Sequence, residues 1–288
     1  MKVNVAVVIP VYKQYADLDL IEKISLEQTC KAFQAYDICF VTHTEINTSL
    51  YCDNHSTNLS IKRFNFDKSY FANIPGYNRL LLDYNFYKAF DEYTYMLICQ
   101  LDVFVFSDKL AHFLQMDYDY IGGPWFENYT LATENSKIIG AGNGGFSLRK
   151  IASFLSVLGI TRFFNRSYLD MSHLKDISLN PISFISILKF SRSRNRSNSS
   201  KSIFPWEFLS NDAMNEDTYW SDVVNQHLSW FKVGDVKDSV SFAFEVNPQV
   251  LYKLNNYELP MAVHAWHKYD TNFWKPFIEE RGYNLDQY

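Results

Sequence analysis

The stretch MLICQLDVFVFSD, residues 96–108, is an apolar run interrupted by a single carboxylate, Asp102. An ionised carboxylate left alone in apolar surroundings is costly, so we expect Asp102 to be hydrogen-bonded, neutralised or paired with a cation. At the carboxyl end of a parallel strand it would lie where α/β folds bind ligands. A divalent metal on the phosphates of a nucleotide would satisfy both constraints. A carboxylate that caps a turn explains this one residue equally well.

Strand-like and helix-like segments alternate around this stretch. The predicted strands on its amino-terminal side are 3–10, 36–42, 60–66 and 93–101, and the predicted helices are 17–35 and 76–90. This alternation predicts an α/β protein with a mostly parallel central sheet flanked by helices. Further along we expect a short strand at 119–125, a glycine-rich turn within 138–149, helices at 150–158 and around 217–230, and short strands near Phe242 and Ala262.

The composition limits the class of protein. With 288 residues, 47% of them hydrophobic, the chain can bury the core of one large domain. A formal net charge of -5 argues against general nucleic-acid binding. Cys39 and Cys99 lie in apolar runs and no CxxC pair occurs, which is typical of reduced thiols in a cytosolic protein. Without a signal-like or membrane-spanning apolar run, we expect a cytoplasmic protein.

A basic segment leads to a second expectation, which concerns contact with a membrane surface. The apolar sequence from residue 177 leads into SRSRNRSNSSK, which carries four cations and no acid: Arg192, Arg194, Arg196 and Lys201. We predict a mobile loop at 189–203. Its charge suits peripheral contact with an anionic membrane surface at the inner face, and a solvated loop without that contact is the alternative.

Two features on the amino-terminal side could hold a nucleotide. The strand end VIPVYK, residues 8–13, leads into a loop where a base and ribose would bind in an α/β sheet. No GxGxxG follows it, which disfavours a dinucleotide fold. Arg79, on the helix before the Asp102 strand, could face a phosphate or Asp102 itself.

Two further motifs follow Asp102. GAGNGGFSLR, residues 140–149, is richer in glycine than a hairpin needs, which favours a functional loop whose amides bind an oxygen-rich group. In NEDTYWSDVV, residues 215–224, the acids Glu216 and Asp217 either begin a helix or supply a general base. His264 and His267 in HAWHKY are metal-ligand types, although packed or surface histidines are the commoner case.

The chain resembles a GT-A fold glycosyltransferase in the order of its motifs. These are VVIPVYK, the Arg-bearing helix, QLDVFVF, GNGGFSLR, NEDTYW and HAWHKY. The motif order is galactosyltransferase-like, and the segments are more closely similar to a little-characterised glycosyltransferase family of polysaccharide and O-antigen gene clusters. The resemblance implies a single domain over 1–288, with a nucleotide-sugar-binding half at 1–108 and an acceptor-binding and catalytic half at 109–288. It also implies a smaller acceptor-side part toward the carboxyl terminus. The implied reaction transfers a sugar, with inversion, from a nucleoside diphosphate donor such as a UDP-sugar to a saccharide or lipid-linked saccharide.

The resemblance also implies roles for individual residues. Asp217 would be the base with Glu216 beside it, and Asp102 and His264 would hold Mn²⁺ or Mg²⁺. Gln100 and Phe104 flank Asp102 where a second acid of the usual Asp-x-Asp motif is expected, which makes the metal a weaker inference. The implied donor-binding residues are Pro10, Val11, Tyr12, Arg79, Asp102, Asn143, Gly144 and Gly145, and the implied acceptor-binding residues are Trp125, Tyr219 and Trp220.

Two other functions stay open at this point. A nucleotidyltransferase that forms sugar nucleotides uses a similar sheet, but it needs a glycine-rich basic loop after the first strand, and VYKQYADLD is a poor match. A non-catalytic module that binds a nucleotide or carbohydrate is favoured by the incomplete Asp-x-Asp motif. The presence of Glu216, Asp217 and His264 together argues against such a module.

Overall fold

A computed structural model describes residues 4–53, 59–163, 202–210 and 214–285. The predicted basic loop at 189–203 lies outside these ranges, apart from Ser202 and Ile203, which are both buried. No helix within the described ranges is long and apolar enough to cross a bilayer.

In the described residues, nine strands form two sheets. The strands are β1 Val5–Pro10, β2 Asp37–Thr42, β3 Ile61–Asn65, β4 Tyr95–Cys99, β5 Val103–Val105, β6 Tyr120–Phe126, β7 Ile138–Lys150, β8 Ala243–Phe244 and β9 Ala262–His264. The central sheet has the order β3-β2-β1-β4-β7-β6. Its first four strands are mutually parallel, and β7 runs antiparallel to both β4 and β6. The predicted α/β architecture with a mostly parallel central sheet is therefore confirmed.

Helices connect and cover these strands. They are α1 Leu20–Ala32, α2 Ser49–Asp53, α3 Ile74–Leu80, α4 Tyr84–Lys88, α5 Leu110–Gln115, α6 Ile151–Phe163, α7 Pro205–Phe208, α8 Glu216–Thr218, α9 Asn225–His227, α10 Val236–Phe242, α11 Pro248–Leu254 and α12 Thr271–Glu279. A π-helical stretch, Tyr219–Val224, joins α8 to α9. The helix predicted around 217–230 is thus present as a continuous helical segment that ends at His227.

The core explains why the first strands read as unbroken apolar runs. Every residue of β1 is buried. Ala6 and Val8 pack in one apolar cluster, whereas Val5, Val7 and Ile9 pack in another. A parallel strand covered on both faces has no polar face, so it lacks the usual alternation. Cys39 and Cys99 are buried without a disulfide, as their apolar surroundings predict.

Two local predictions are wrong in detail. The helix expected at 76–90 is two helices, because the carboxylate of Asp83 accepts a hydrogen bond from Asn85 N and starts α4 anew. The glycine-rich segment at 138–149 is not a turn but part of the 13-residue strand β7. The apolar run at 96–108 contributes to both sheets: β4 ends at Cys99, inside the strand predicted at 93–101, and β5 begins at Val103 in the other sheet.

The second sheet brings distant segments to the end of β4. Its order is β5-β9-β8, with β5 antiparallel and β8 parallel to β9. In this register Val103 lies opposite His264 and Phe244 lies opposite Val263. Asp102, His264 and Glu245, which are far apart in the sequence, therefore meet at the same edge.

Candidate active site

Two adjoining cavities open where β1 and β4 end against the second sheet. The first, which we call the edge cavity, has a volume of about 540 Å³ and is lined by residues that include Pro10, Tyr12, Asp102, His267 and Lys268. The second, the inner cavity, has a volume of about 440 Å³ and is lined by residues that include Trp125, Asn143, Gly144, Asp217 and Glu245. Tyr77, Gln100 and His264 line both cavities and mark the boundary between them.

Asp102 lies at this boundary and is paired with cations. Its carboxylate is 3.3 Å from Nε2 of His264 and 3.5 Å from Nζ of Lys268. Burial alone would raise the pKa of Asp102, but His264 and Lys268 outweigh it and hold that pKa well below its usual range. The lone carboxylate in the apolar run is therefore ionised and compensated, as the sequence requires.

His264 is held between acidic and amide side chains. Its Nδ1 is 2.9 Å from Oε1 of Glu245, and its Nε2 is 3.2 Å from Oε1 of Gln100. Burial lowers the pKa of His264, but Asp102 and Glu245 raise it overall to about 10. Without a metal, His264 is thus an imidazolium at neutral pH. The second oxygen of Glu245 accepts a hydrogen bond of 2.7 Å from Nδ2 of Asn143.

The glycines of GNGG permit close packing. A Cβ on Gly145 would come within 2.3 Å of Nε2 of His264, and one on Gly144 within 2.8 Å of Oε1 of Glu216. Their amides are already engaged, because Gly144 N donates to Oδ2 of Asp217 and Gly145 N donates to Oδ1 of Asn143. The segment therefore brings His264 and the acidic pair together, and these two amides are not free to bind an anion as the sequence suggested.

The two acids of the pair have different surroundings. Glu216 is buried and makes a two-pronged ion pair with the fully buried Arg149, with N–O distances of 2.9 and 3.1 Å. Arg149 also donates hydrogen bonds to the hydroxyls of Tyr87 and Ser147. Glu216 is therefore fixed as the partner of a buried cation, which does not suit the predicted catalytic role.

Asp217 has no cationic partner among the contacts that the structure describes. It accepts hydrogen bonds from the backbone N–H groups of Gly144, at 3.2 Å, and Thr218, at 2.7 Å. Burial, followed by the charge of Glu216, raises its pKa from 3.8 to about 7. A carboxylate with such a pKa, on the wall of a cavity, can accept a proton near neutral pH.

The other predicted site residues divide into two groups. Pro10, Tyr12 and Trp125 line the cavities, as expected for ligand-binding residues. Four do not reach either cavity, so their predicted roles are not supported by the geometry. Val11 is fully buried, and its N–H donates to Val41 O within the sheet.

Tyr219 and Trp220 have no exposed surface because they pack in the core, so neither can contact an acceptor as placed. Arg79 is exposed and lines a separate cavity with Tyr84 and Trp206, away from Asp102.

Sequence reasoning missed several residues of the site, among them Glu245, Lys268 and Tyr77. Glu245 follows the two-residue strand β8 and belongs to no motif, so its approach to His264 could only come from the tertiary fold. Tyr77 lies between Gly76 and Asn78 on α3 and has no distinguishing local pattern, yet it lines both cavities, and its buried hydroxyl has no hydrogen-bond partner among the residues that the structure describes.

The donor atoms around His264 fit a divalent cation in one respect and not in another. No group of three or more His, Cys, Asp or Glu side chains forms a metal site in the part of the chain that the structure covers. However, Oδ1 of Asp102 and Oε1 of Gln100 lie 3.3 and 3.2 Å from Nε2 of His264. Ligands at about 2.1 Å from one ion, at right angles, are about 3 Å apart. The two separations from Nε2 of His264 therefore suit ligands of one cation once His264 gives up its Nε2 proton.

The model of a protein family described as "Protein of unknown function (DUF5672)" matches residues 60–264, more than two thirds of the chain. The chain belongs to this family. No curated protein matches it.

Solved structures of three proteins are among those similar to this member of the DUF5672 family. Mouse xyloside xylosyltransferase 1 is 12% identical over 90% of this chain and 97% of its own, with a TM-score of 0.46. A glycosyltransferase involved in glycosylation of the major capsid of PBCV-1 is 11% identical over 96% and 99%, with a TM-score of 0.44. The mannosyltransferase Ktr4p of S. cerevisiae matches in two structures. In the first, the identity is 13% over 43% of this chain and 40% of that chain, with a TM-score of 0.33. In the complex with GDP, the identity is 11% over 98% of this chain and 62% of that chain, with a TM-score of 0.35.

Proposed function

We propose that this protein is a glycosyltransferase that moves a sugar from a nucleoside diphosphate sugar to a saccharide hydroxyl. The observation that carries the proposal is the pair of carboxylates on adjoining cavities, one held ionised beside cations and one with a pKa raised to about 7. Sugar transfer needs both: positive charge to stabilise the departing diphosphate and a base to take the acceptor proton.

The edge cavity is the proposed donor site. The nucleoside would lie along Pro10 and Tyr12 at the end of β1, and the diphosphate would face His264 and Lys268. Lys268 is half exposed and close to Asp102, so it is placed to neutralise negative charge that arrives from solvent. A divalent cation held by Asp102 and His264 would supply further charge stabilisation to the diphosphate.

The inner cavity is the proposed acceptor site. Asp217 would accept the proton of the acceptor hydroxyl while that oxygen forms its bond to the anomeric carbon of the donor sugar. The bond from the anomeric carbon to the diphosphate oxygen breaks with its electron pair, and the nucleoside diphosphate leaves. Because Asp217 lines the inner cavity, whereas Asp102 and Lys268 line the edge cavity, we propose a single displacement with inversion. Trp125 offers an aromatic surface for the acceptor.

Finer features of the proposal rest on the sequence resemblance. They are UDP as the nucleotide, Mn²⁺ or Mg²⁺ as the ion, and a saccharide or lipid-linked saccharide of a surface polysaccharide as the acceptor. The resemblance also supports a GT-A domain over the whole chain. The cysteine pattern and the basic sequence 189–203 support the further proposal of a cytoplasmic location with peripheral contact at the inner membrane face.

The decisive experiment is turnover of a donor panel. Release of nucleoside diphosphate from UDP- and GDP-sugars is measured with Mn²⁺, Mg²⁺ or EDTA, first without acceptor and then with a saccharide library. We expect turnover of at least one donor, its loss in Asp102→Asn, and an inverted anomeric product. A retained configuration would remove the need for Asp217 as a base.

One observation favours a second candidate, a non-catalytic nucleotide-sugar-binding module. Within the described residues no cluster of three acidic, His or Cys side chains is arranged for a metal. Saturable binding of a nucleotide sugar that is never turned over, with any metal or acceptor, would favour this module over the transferase.

A further inference from the structure

We infer that Glu245 is a positioning residue for a divalent cation site, in which its contact with Nδ1 of His264 keeps Nε2 of His264 directed at Asp102 and Gln100. The inference rests on the proposed function, because the cation would be the one that faces the donor diphosphate. It gives a role to two residues, Glu245 and Gln100, that have none in the proposed transfer reaction.

The second sheet fixes this arrangement through its register. Residue 102 precedes β5, residue 264 ends β9 and residue 245 follows β8, and the pairings Val103 with His264 and Phe244 with Val263 bring the three to one level. His264 occupies the central strand, so its ring is flanked by one carboxylate on each side. Three neighbouring strands hold the group, which therefore does not depend on a flexible loop.

The ring of His264 is held on its other faces as well. Gly145 packs against the imidazole so closely that a Cβ there would lie 2.3 Å from Nε2. Gly145 O accepts a backbone hydrogen bond of 3.0 Å from Gln100 N, which places the Gln100 side chain beside the same nitrogen. The Nε2 atom thus faces two oxygens, of Gln100 and Asp102, and the buried Nδ1 atom lies 2.9 Å from Oε1 of Glu245, close enough for an ion pair.

The net charge of the proposed cation site gives a reason for the carboxylate of Glu245 next to Nδ1 of His264. In Gln100-Leu101-Asp102 the first position is a neutral amide, so the turn after β4 contributes one negative charge to the site. A carboxylate that accepts the distal N–H of a ligating histidine fixes the tautomer and raises the basicity of the ligand nitrogen. Glu245 would thereby contribute, through the imidazole of His264, part of the negative charge that a second carboxylate in the turn would supply.

Direct measurement of cation binding tests the inference without reference to sugar transfer. Mn²⁺ binding to the full chain is followed by electron paramagnetic resonance, alone and with UDP or GDP. The variant Glu245→Gln removes the charge and keeps the size, and Glu258→Gln, at an exposed acid, is the matched control. We expect Glu245→Gln to weaken Mn²⁺ binding by about 10–100-fold and the control to leave it unchanged.

A further variant separates positioning of His264 from support of the glycine segment. Glu245 also accepts a hydrogen bond from Asn143, so its loss disturbs both neighbours. If the segment were the cause, Asn143→Ala would weaken Mn²⁺ binding as much as Glu245→Gln does. We expect a smaller effect from Asn143→Ala and complete loss of binding in His264→Ala.

Nuclear magnetic resonance of ¹⁵N-labelled imidazole gives an independent readout in the wild-type protein. With Mg²⁺ bound, His264 should carry its proton on Nδ1 and none on Nε2. A proton on Nε2 in the loaded protein would overturn the inference. So would wild-type Mn²⁺ affinity in Glu245→Gln, or no Mn²⁺ binding by the wild type with either nucleotide. Transfer that persists in EDTA would remove this inference and leave the proposed function standing.

Discussion

The replacement Asp217→Asn tests the proposed base and its raised pKa in one variant. A positioned general base contributes typically ~10²–10⁴ in rate, so turnover should fall by that factor while donor affinity stays nearly constant. The wild-type value of kcat/KM should rise with pH through about 7, because the ionised form of Asp217 is the active one. Asp222→Asn, at an exposed acid on the same helical segment, is the matched control.

The same variant should change how stability depends on pH. The pKa of Asp217 is about 7 in the folded protein and 3.8 by default, so the folded state binds a proton that the unfolded state has already lost. Stability therefore decreases as the pH rises from about 4 to about 7. One unit of pKa difference corresponds to about 1.4 kcal/mol, so between about pH 5 and pH 8 the loss is at most ~3 kcal/mol. Asp217 is partly exposed, and solvent screening reduces this figure.

Asn at position 217 also loses a hydrogen bond. Both backbone donors, Gly144 N and Thr218 N, need an acceptor, and an amide side chain provides a single oxygen. Relative to the ionised carboxylate, this costs about 1–3 kcal/mol. Below pH 7 the protonated carboxyl also provides a single carbonyl oxygen, so the variant and the wild type should be close in stability at pH 5. At pH 8 the wild type also bears the cost of a buried charge, so the stability of the variant relative to the wild type should differ from its value at pH 5.

Urea unfolding of the wild type, Asp217→Asn and Asp222→Asn at each pH measures the difference in free energy of unfolding. The other titrating groups are common to the wild type and Asp217→Asn, so their contributions cancel in that difference. A wild-type-minus-variant stability that does not change with pH would refute the raised pKa. Turnover within tenfold of wild type in Asp217→Asn would refute the role as base.

Three further outcomes are expected. Asp102→Asn should abolish transfer and weaken Mn²⁺ binding in a folded protein, as measured by turnover and paramagnetic resonance; unchanged turnover would exclude the donor-site role. Gly145→Ala should reduce turnover strongly because its Cβ would meet His264, whereas Gly140→Ala, whose Cβ would have 3.8 Å of space, should be neutral in the same assay. Arg149→Met should lower the free energy of unfolding by about 3–5 kcal/mol, because it leaves a buried carboxylate without its cation; a stability loss below about 1 kcal/mol in urea unfolding would contradict this.

The sheet could be predicted from the sequence because its strands are covered on both faces. Residues 5–10 and 95–99 are unbroken apolar runs, and each forms a strand at the predicted place. The segment at 138–149 was misread because its glycines indicate a turn when only local conformation is considered. In the structure they are needed at β7 because side chains from other segments, His264 and Glu216, pack directly on the strand.

The sequence indicates candidate site residues only where single residues carry unusual chemistry. Asp102 stands out because it breaks an apolar run, and Asp217 stands out in an acidic pair. Tyr219 and Trp220 follow that pair in the sequence but turn into the core on the π-helical stretch, which no local pattern indicates. Glu245 meets His264 only through the pairing of β8 with β9, so neither residue's local sequence predicts it.

Asp102 and Asp217 show how one residue type acquires two chemical roles within one site. Both are largely desolvated, which by itself raises a carboxyl pKa. Asp102 then faces His264 and Lys268, which keep it ionised, whereas Asp217 faces the charge of Glu216, which raises its pKa further. Because Arg149 pairs with Glu216 on the core side, the two acids stay buried without a cation at Asp217.

An acid that is always ionised suits a cation or diphosphate site, and an acid that ionises near neutrality suits a proton acceptor. The separation of these two pKa values therefore supports the assignment of the edge cavity to the donor and the inner cavity to the acceptor.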